Sequence, residues 1–343
     1  MDHTRRRLLG LLARGPIGLA ELARELDLPA ERVETHLDRL QDRGFELEQG
    51  PEGIQVVETP AFGGDAITFD LDAPYRIEFR ESVTSTNAVA RGYAERGEAD
   101  VVVVADAQTA GRGRDGRGWV SPSGGIWLSI LVRPDLEARR LPLLTLAGAV
   151  AVARAVEEVG VDATIKWPND VLARTDDGEG EGVGEERKLA GVLSEAETTS
   201  GGVEWAIIGI GINANVDPAD LVPERDRSQA SGVEGTRDGP PGDRDVNGLA
   251  PTSLRALVGD VDRRAVTQRV LELFFELLLD PTEIVPAWRD VAGTLGRRVR
   301  ITTADEVFEG VAEGITSEGA LRVSTETGTR VVSIGDCAHL RST

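Results

Sequence analysis

Between residues 75 and 290 the chain alternates strand-like and helix-like segments, and this alternation narrows the possible folds more than any other feature. Segments 75–81, 100–106, 125–132, 163–167, 188–196 and 203–212 read as strands. A helix opens near Thr86, a long apolar-sided one covers 138–159, and two more cover 262–279 and 282–290. Interleaved elements of this kind need a sheet with helices against it, so a mixed-sheet α/β domain is expected within an α+β chain. With 343 residues, 40% of them hydrophobic, the chain can bury more than this one core.

The flanks read differently. Residues 5–13 are apolar at helical spacing, and Leu19-Ala20-Glu21-Leu22-Ala23-Arg24-Glu25-Leu26 makes a short amphipathic helix. Asp27-Leu28-Pro29 is a turn, with Pro29 suited to open the next helix over 30–43, whose Val33, Leu37 and Leu40 share one face. A hairpin follows, 45–49 with 54–58. This order resembles a winged helix-turn-helix. Its second helix offers Arg32, Thr35, His36 and Arg39 as candidate DNA contacts. Residues 1–60 nevertheless hold 8 Arg against 12 acidic residues, a net of −4 that opposes phosphate binding. After Gly293, segments 297–302, 307–315, 320–325 and 329–334 read as the short strands of a small β-barrel. The expected division is 1–60, a linker at 61–74, a central domain at 75–292 and a C-terminal domain at 293–343. Segments 175–186 and 224–248, rich in Gly and acid, read as solvated loops.

Composition excludes several chemistries. Lys plus Arg is 38 against 59 Asp plus Glu, a net charge of −21, unsuited to indiscriminate binding of polyanions. The single cysteine, Cys337, rules out a disulfide framework or a multi-cysteine metal site within the chain. The histidines are His3, His36 and His339, so the long middle can host neither a Ser-His-Asp triad nor a His-ligated metal, and no protein-only metal site is expected. Thr4-Arg5-Arg6-Arg7-Leu8-Leu9 looks superficially like a twin-arginine export signal. Arg14 cuts its apolar run short of the roughly 7–15 residues needed, so a helix and a cytoplasmic protein are expected, without a membrane partner.

The densest motif is Gln108-Thr109-Ala110-Gly111-Arg112-Gly113-Arg114-Asp115-Gly116-Arg117-Gly118-Trp119. Its G-x-G-x-x-G is not a dinucleotide site, because a strand rather than a helix follows. Nor is it a kinase loop: Ala163-Thr164-Ile165-Lys166 imitates the strand lysine, but no His-Arg-Asp or Asp-Phe-Gly motif appears. What remains is a flexible backbone carrying guanidinium forks suited to carboxylate and phosphate. Two further motifs are Lys166-Trp167-Pro168-Asn169-Asp170 and Arg187-Lys188-Leu189-Ala190-Gly191-Val192-Leu193. The chain uses Arg 36 times and Lys only twice, and both lysines fall inside these motifs. A site requiring a compact ammonium explains that placement. Ser82-Val83-Thr84-Ser85-Thr86-Asn87 and Gly209-Ile210-Gly211-Ile212-Asn213 complete the set; Ser85 or Thr86 also suits an ordinary helix N-cap.

In order and spacing these motifs resemble those of biotin protein ligases. The flanking domains resemble the bifunctional type, which also acts as the biotin operon repressor. The resemblance implies a class II synthetase-like catalytic domain and an SH3-like C-terminal barrel. It implies activation of biotin by ATP with Mg²⁺, then transfer to a lysine of a biotin carboxyl carrier protein or domain, with operator DNA and a second copy of the chain as further partners. Biotin then falls to Ser85, Thr86, Asn87, Gln108, Arg112, Gly113, Arg114, Lys188 and Gly191, and ATP to Arg112, Arg114, Arg117, Trp119, Lys166, Asn169 and Asn213. Lys188, Arg112 and Asp170 are the catalytic candidates. Lys188 would bridge carboxylate and α-phosphate, and Asp170 would hold and help deprotonate the incoming lysine. Asp115 departs from the pattern, standing where a basic or polar residue is common. A lipoate or octanoyl ligase is the alternative of the same fold, and a biotin-responsive transcription factor without ligase activity the alternative of another class. The carrier itself is disfavoured, since its acceptor lysine is typically flanked by Met and the only Met is Met1. High acid with almost no lysine also resembles proteins of salt-loving organisms and points to a halophilic archaeon.

Overall fold

A computed structural model describes residues 3–175, 185–222 and 249–340. Three helices come first, α1 (His3–Leu12), α2 (Leu19–Leu26) and α3 (Ala30–Gln41), then an antiparallel pair, β1 (Glu46–Gly50) and β2 (Gly53–Glu58). Leu8, Leu9, Leu22, Val33, Leu40 and Phe45 bury their apolar faces in a core separate from the rest. Pro29 is the residue before α3, not its first. It lacks the N–H to extend the preceding turn, and so helps separate the two helices. Arg32, Thr35 and Arg39 are exposed on α3, as are Glu31, Glu34 and Asp38. His36 departs from the expectation that it contacts DNA. It lies on the stripe of Val33, Leu37 and Leu40 and is buried with them.

Residues 61–74 are more than a linker. They contain α4 (Gly64–Thr68), whose buried Asp65 pairs with Arg5 and Arg43 at 3.5 and 3.0 Å. On the other side, Gln268 Nε2 donates to the carbonyls of Ile67 and Phe69.

The central sheet has seven strands: β3 (Arg76–Val83), β4 (Val101–Gln108), β5 (Ile126–Val132), β6 (Ala163–Lys166), β7 (Asp170–Thr175), β8 (Glu185–Thr199) and β9 (Gly202–Ile212). Their order is β3-β4-β5-β9-β8-β7-β6; β3 and β4 are parallel and every other pair is antiparallel. The sheet is therefore mixed. One face packs against α5 (Thr86–Glu95), through Ala90 and Ala94 against Val101, Val103 and Leu131. The other face carries α6 (Pro142–Glu157), with α8 (Arg263–Leu279) and α9 (Ile284–Asp290) beyond it; the short α7 (Leu254–Val258) precedes them. β5 is buried at every position because both its faces are covered. α6 starts at Pro142, four residues later than the periodicity suggests, since 138–140 form one 3₁₀ turn and Pro142 suits a helix's first turn. Thr175, Glu185 and Glu186, expected in a loop, are ladder residues joining β7 to β8. The rest of that segment, and 224–248, lie outside the described residues.

Five antiparallel strands end the described chain: β10 (Arg298–Thr302), β11 (Val307–Ile315), β12 (Leu321–Thr325), β13 (Gly328–Val332) and β14 (Asp336–His339), in the order β13-β12-β11-β10-β14. β14 has no counterpart in the sequence pattern, and Ile334, expected within a strand, stands exposed between β13 and β14. Val299, Ile301, Leu321 and Val323 share one core with the central sheet. Trp167 closes that seam, its indole N–H donating to the Gly319 carbonyl at 3.1 Å. Among the described residues no helix is long and apolar enough to cross a membrane.

Candidate active site

The ends of β4, β8 and β9, the start of α5 and the arginine-rich segment surround a cavity of about 460 Å³. Ser85, Thr86 and Asn87 enter it because α5 begins there, at the end of β3. Ser85 occupies the N-cap position yet makes no capping hydrogen bond. The Thr86 N–H instead donates to Gln108 Oε1 at 2.9 Å, and Gln108 Nε2 donates to Ser121 Oγ at 2.9 Å. One end of α5 is thus tied to the end of β4 by a single amide side chain.

The segment 111–119 folds over this cavity. Gly111 is required there: a Cβ would stand 2.4 Å from the Trp119 carbonyl oxygen. Asp115 adopts a left-handed conformation, φ 55°, and pairs with Arg117 at 3.1 Å, so an acidic residue here has a local role within the segment. Arg114 donates to the Gly335 carbonyl at 2.9 Å and to Asn169 Oδ1 at 3.4 Å. Asp336, at the start of β14, pairs with Arg114 at 3.4 Å and with Arg117 at 3.1 Å. Arg112 is exposed at the cavity and makes no ion pair among the described residues.

Trp119 lies across β8 and β9. Gly191 and Gly211 are paired directly across these strands, and a Cβ on Gly211 would come 2.6 Å from the indole nitrogen. The paired glycines are the slot into which the indole fits. Above it, Lys188 Nζ sits 5.3 Å from the ring centroid, within cation–π range.

Both lysines of the chain converge on one carboxylate. Lys188 Nζ is 2.7 Å from Asp170 Oδ1, and Lys166 Nζ is 3.1 Å from Asp170 Oδ2. The β6–β7 turn places Lys166 opposite Asp170, and β7 pairs with β8 to bring Asp170 beside Gly191. Burial by itself would raise the Asp170 carboxyl, but the charges and hydrogen bonds of the two ammoniums outweigh it and hold it below the usual carboxylate range. Asp170 and Lys188 line the cavity. Lys166 does not: it is buried behind Asp170, so the expected nucleotide contact becomes a supporting one. Asn213 lines the cavity but spends its amide on the Thr252 carbonyl at 2.9 Å, bracing the segment beside Lys188. Asn169 likewise donates to the Val192 carbonyl at 2.9 Å.

All the other biotin, ATP and catalytic candidates, Gly113 and Gly191 included, line the cavity. Sequence reasoning missed Asp336, Ser121, Ser129 and Glu195. Ser129 carried a readable signal, the one hydroxyl in the apolar run of β5. Cys337 lies close by but is buried, and that burial pushes its thiol up to about 12, leaving it no nucleophile. Among the described residues no three His, Cys, Asp or Glu side chains gather into a metal site. Chemically, the cavity joins a hydroxyl-and-amide cluster to a set of fixed cations: it can bind a polar neutral group and stabilise anions in the same space.

Residues 79–213 match the Biotin/lipoate A/B protein ligase family, and residues 294–340 match the Biotin protein ligase C terminal domain. The chain is 31% identical over 315 residues to the Bifunctional ligase/repressor BirA of Bacillus subtilis (strain 168), covering 88% of this chain and 87% of that protein. It is 31% identical over 266 residues to the Biotin--[acetyl-CoA-carboxylase] ligase of Mycobacterium tuberculosis, covering 75% and 86%. Among solved structures it is similar to the biotin protein ligase from Aquifex aeolicus in complex with biotin and ATP, with a TM-score of 0.58, 28% identity, and coverage of 78% of this chain and 99% of that one.

Proposed function

This chain belongs to the biotin protein ligase family, and from that premise we propose that it couples biotin to a carrier protein in two steps. In the first, the biotin carboxylate attacks the α-phosphorus of Mg·ATP; a P–O bond forms and pyrophosphate leaves. In the second, a lysine amine of a biotin carboxyl carrier protein attacks the acyl carbon and AMP leaves. The observation that carries this reading is the cavity in which Ser85, Thr86 and Gln108 meet Arg112, Arg114 and Lys188. That combination suits a ligand neutral at a ureido ring and anionic at a carboxylate.

The difficulty of the first step is that both reactants are anionic. Lys188, pinned by Asp170 and resting over Trp119, is suited to bridge the carboxylate and the α-phosphate without moving a proton. Arg112, Arg114 and Arg117 bind the phosphates, with Mg²⁺ entering on the nucleotide. Asp170 is a poor acceptor for the proton of the incoming amine, because each of its oxygens already faces an ammonium. Its role is to hold Lys188. The Cys337 thiol, buried and raised, disfavours the octanoyl-ligase alternative that works through a cysteine.

Residues 3–58 support a second role. Their three helices and hairpin have the order of a winged helix-turn-helix, and relatives named ligase/repressor match along most of this chain. Arg32, Thr35 and Arg39 are then the DNA-facing candidates, and the acidic neighbours on α3 mean that base contacts, not phosphate attraction, set affinity. The five C-terminal strands correspond to an SH3-like barrel, and the adenylate-bound protein is expected to dimerise. The charge statistics fit a high-salt cytoplasm.

Incubation with labelled biotin, Mg·ATP and a carrier domain tests the ligase reading. Label on the carrier lysine, dependent on ATP, is expected; a carrier left unlabelled at every salt concentration contradicts it. Failure of the protein to shift biotin-operon DNA in the presence of biotin and ATP would remove the repressor role alone.

A further inference from the structure

Beneath the cavity runs a chain of hydrogen bonds that no step above has used. Asn87 and Arg91 stand one turn apart on α5, and between them they grip both oxygens of Glu195 on β8. Asn87 Nδ2 donates to Glu195 Oε1 at 2.9 Å. On its other side, Asn87 Oδ1 lies 2.6 Å from Ser129 Oγ, and Ser129 Oγ lies 2.7 Å from Thr86 Oγ1. Ser129 is fully buried, so water cannot change these partners. The Asn87 amide lies flat on β9: a Cβ on Gly209 would come 2.3 Å from its Oδ1.

Counting protons fixes the direction of the chain. A carboxylate only accepts, so Asn87 must turn its NH₂ to Glu195 and its carbonyl oxygen to Ser129. That oxygen also only accepts, so the single Ser129 proton goes to it. The 2.7 Å contact between the two hydroxyls then needs the Thr86 proton, which leaves the looser 3.2 Å approach of Thr86 Oγ1 to Gln108 Oε1 without one. Gln108 Oε1 keeps its bond from the Thr86 N–H. Thr86 Oγ1 therefore faces the cavity with lone pairs only. With the Asn87 amide reversed, the protons would run the other way and Thr86 would present a donor.

We propose that Glu195 is a positioning residue which, acting through Asn87 and Ser129, makes the Thr86 hydroxyl an acceptor for a ring N–H of the substrate. It selects a ligand that donates at this point, as a ureido ring does, over one that presents a carbonyl or ether there. This rests on the ligase reading above for the identity of the substrate. Glu195 touches neither substrate nor reacting atoms.

The test is steady-state pyrophosphate release by the full chain with biotin, Mg·ATP and a saturating carrier domain as acceptor. Glu195→Met keeps the volume but removes the acceptor; Glu195→Gln retains an oxygen that can face Asn87. Glu195→Met is expected to raise the KM for biotin about tenfold, with the KM for ATP and the kcat at saturating biotin within about twofold of the wild type. Glu195→Gln should recover most of that loss. Ser129→Ala should give a similar rise, and the double variant Glu195→Met with Ser129→Ala should be no worse than either alone. An unchanged biotin KM in Glu195→Met, equal losses in kcat and ATP KM, or additive single effects would overturn the proposal. A shared drop in the thermal midpoint without the KM split would reduce Glu195 to a structural residue. Wild-type protein releasing no pyrophosphate would instead overturn the ligase reading, a result distinguishable from all of these.

Discussion

The arginine segment and the lysine pair both bring positive charge to the same cavity, but they hold it in opposite ways. Arg114 and Arg117 ride on a loop, and much of what fixes them comes from Gly335 and Asp336, more than 200 residues away in sequence. Asp336 is 29% exposed, and an ion pair this close to water is exchangeable. Lys166 and Lys188 stand on strands and share a carboxylate only 6% exposed. Those charges cannot leave their partner cheaply. On the proposed ligase reading, the contrast suits the loop to a movable grip on polyanion and the lysines to a fixed electrostatic centre. Both of the chain's lysines are spent on this one buried carboxylate, presenting compact ammoniums there in a chain otherwise written in arginine.

The contrast is broken most severely at its fixed end. Asp170→Asn leaves a buried ammonium, Lys166, without its counter-charge and should cost about 3–5 kcal/mol in stability, with loss of adenylate formation. Denaturant unfolding beside a pyrophosphate assay checks both, and a variant as stable as wild type would show that Asp170 is not the clamp. A smaller effect is expected at the movable end. Trypsin should cut the unliganded protein after Arg112, Arg114 or Arg117 and spare Lys166 and Lys188, while biotin with ATP should protect the loop. Asp336→Asn should speed that cleavage severalfold with little change in melting temperature. Equal cleavage at the lysines would erase the distinction between the two regions.

The smallest effect concerns the seam carrying Asp336. His339 lies between Thr294, Arg297 and Glu186, with the charge of Lys166 nearby. Burial, first, and the Arg297 and Lys166 charges lower the His339 pKa, against the opposing pull of Glu186. Burial would raise Glu186, but hydrogen bonds from His339 and Arg297 and their charges bring it from 4.5 to about 2. Both shifts act in one direction. Unfolding lets His339 take a proton it resists when folded, so stability declines as pH falls below roughly 6.5. Glu186 adds stability above its unfolded value of 4.5, and this is lost as pH falls toward about 2. Thermal midpoints measured from pH 7 to pH 3 should fall, and Glu186→Gln should flatten the part below pH 4.5. A midpoint independent of pH would contradict the assignment.

What the sequence could reveal depended on distance along the chain. The run 101–105 of β4 is apolar throughout and β5 is apolar but for Ser129, and their burial on both faces follows from that. Lysine scarcity singles out Lys166 and Lys188 in the sequence alone. β7 was invisible because Asp170-Val171-Leu172-Ala173-Arg174-Thr175 is short and polar at both ends; its pairing with β6 and β8 makes it a strand. Asp336 and the matched Gly191 and Gly211 left no local signal, since each acquires its meaning from a residue far away. His36 was misplaced for a different reason: a polar side chain on the apolar stripe of α3 reads as exposed until the core is seen.

The central claim is that Lys188, fixed by Asp170, is the ammonium that permits attack of one anion on another. Lys188→Arg keeps the charge and loses the compact shape, so it tests that claim directly. With biotin and Mg·ATP in a single turnover, the variant should form biotinyl-AMP at least about 100-fold more slowly than wild type, with an unchanged melting temperature. Biotinyl-AMP formed at the wild-type rate would contradict the account.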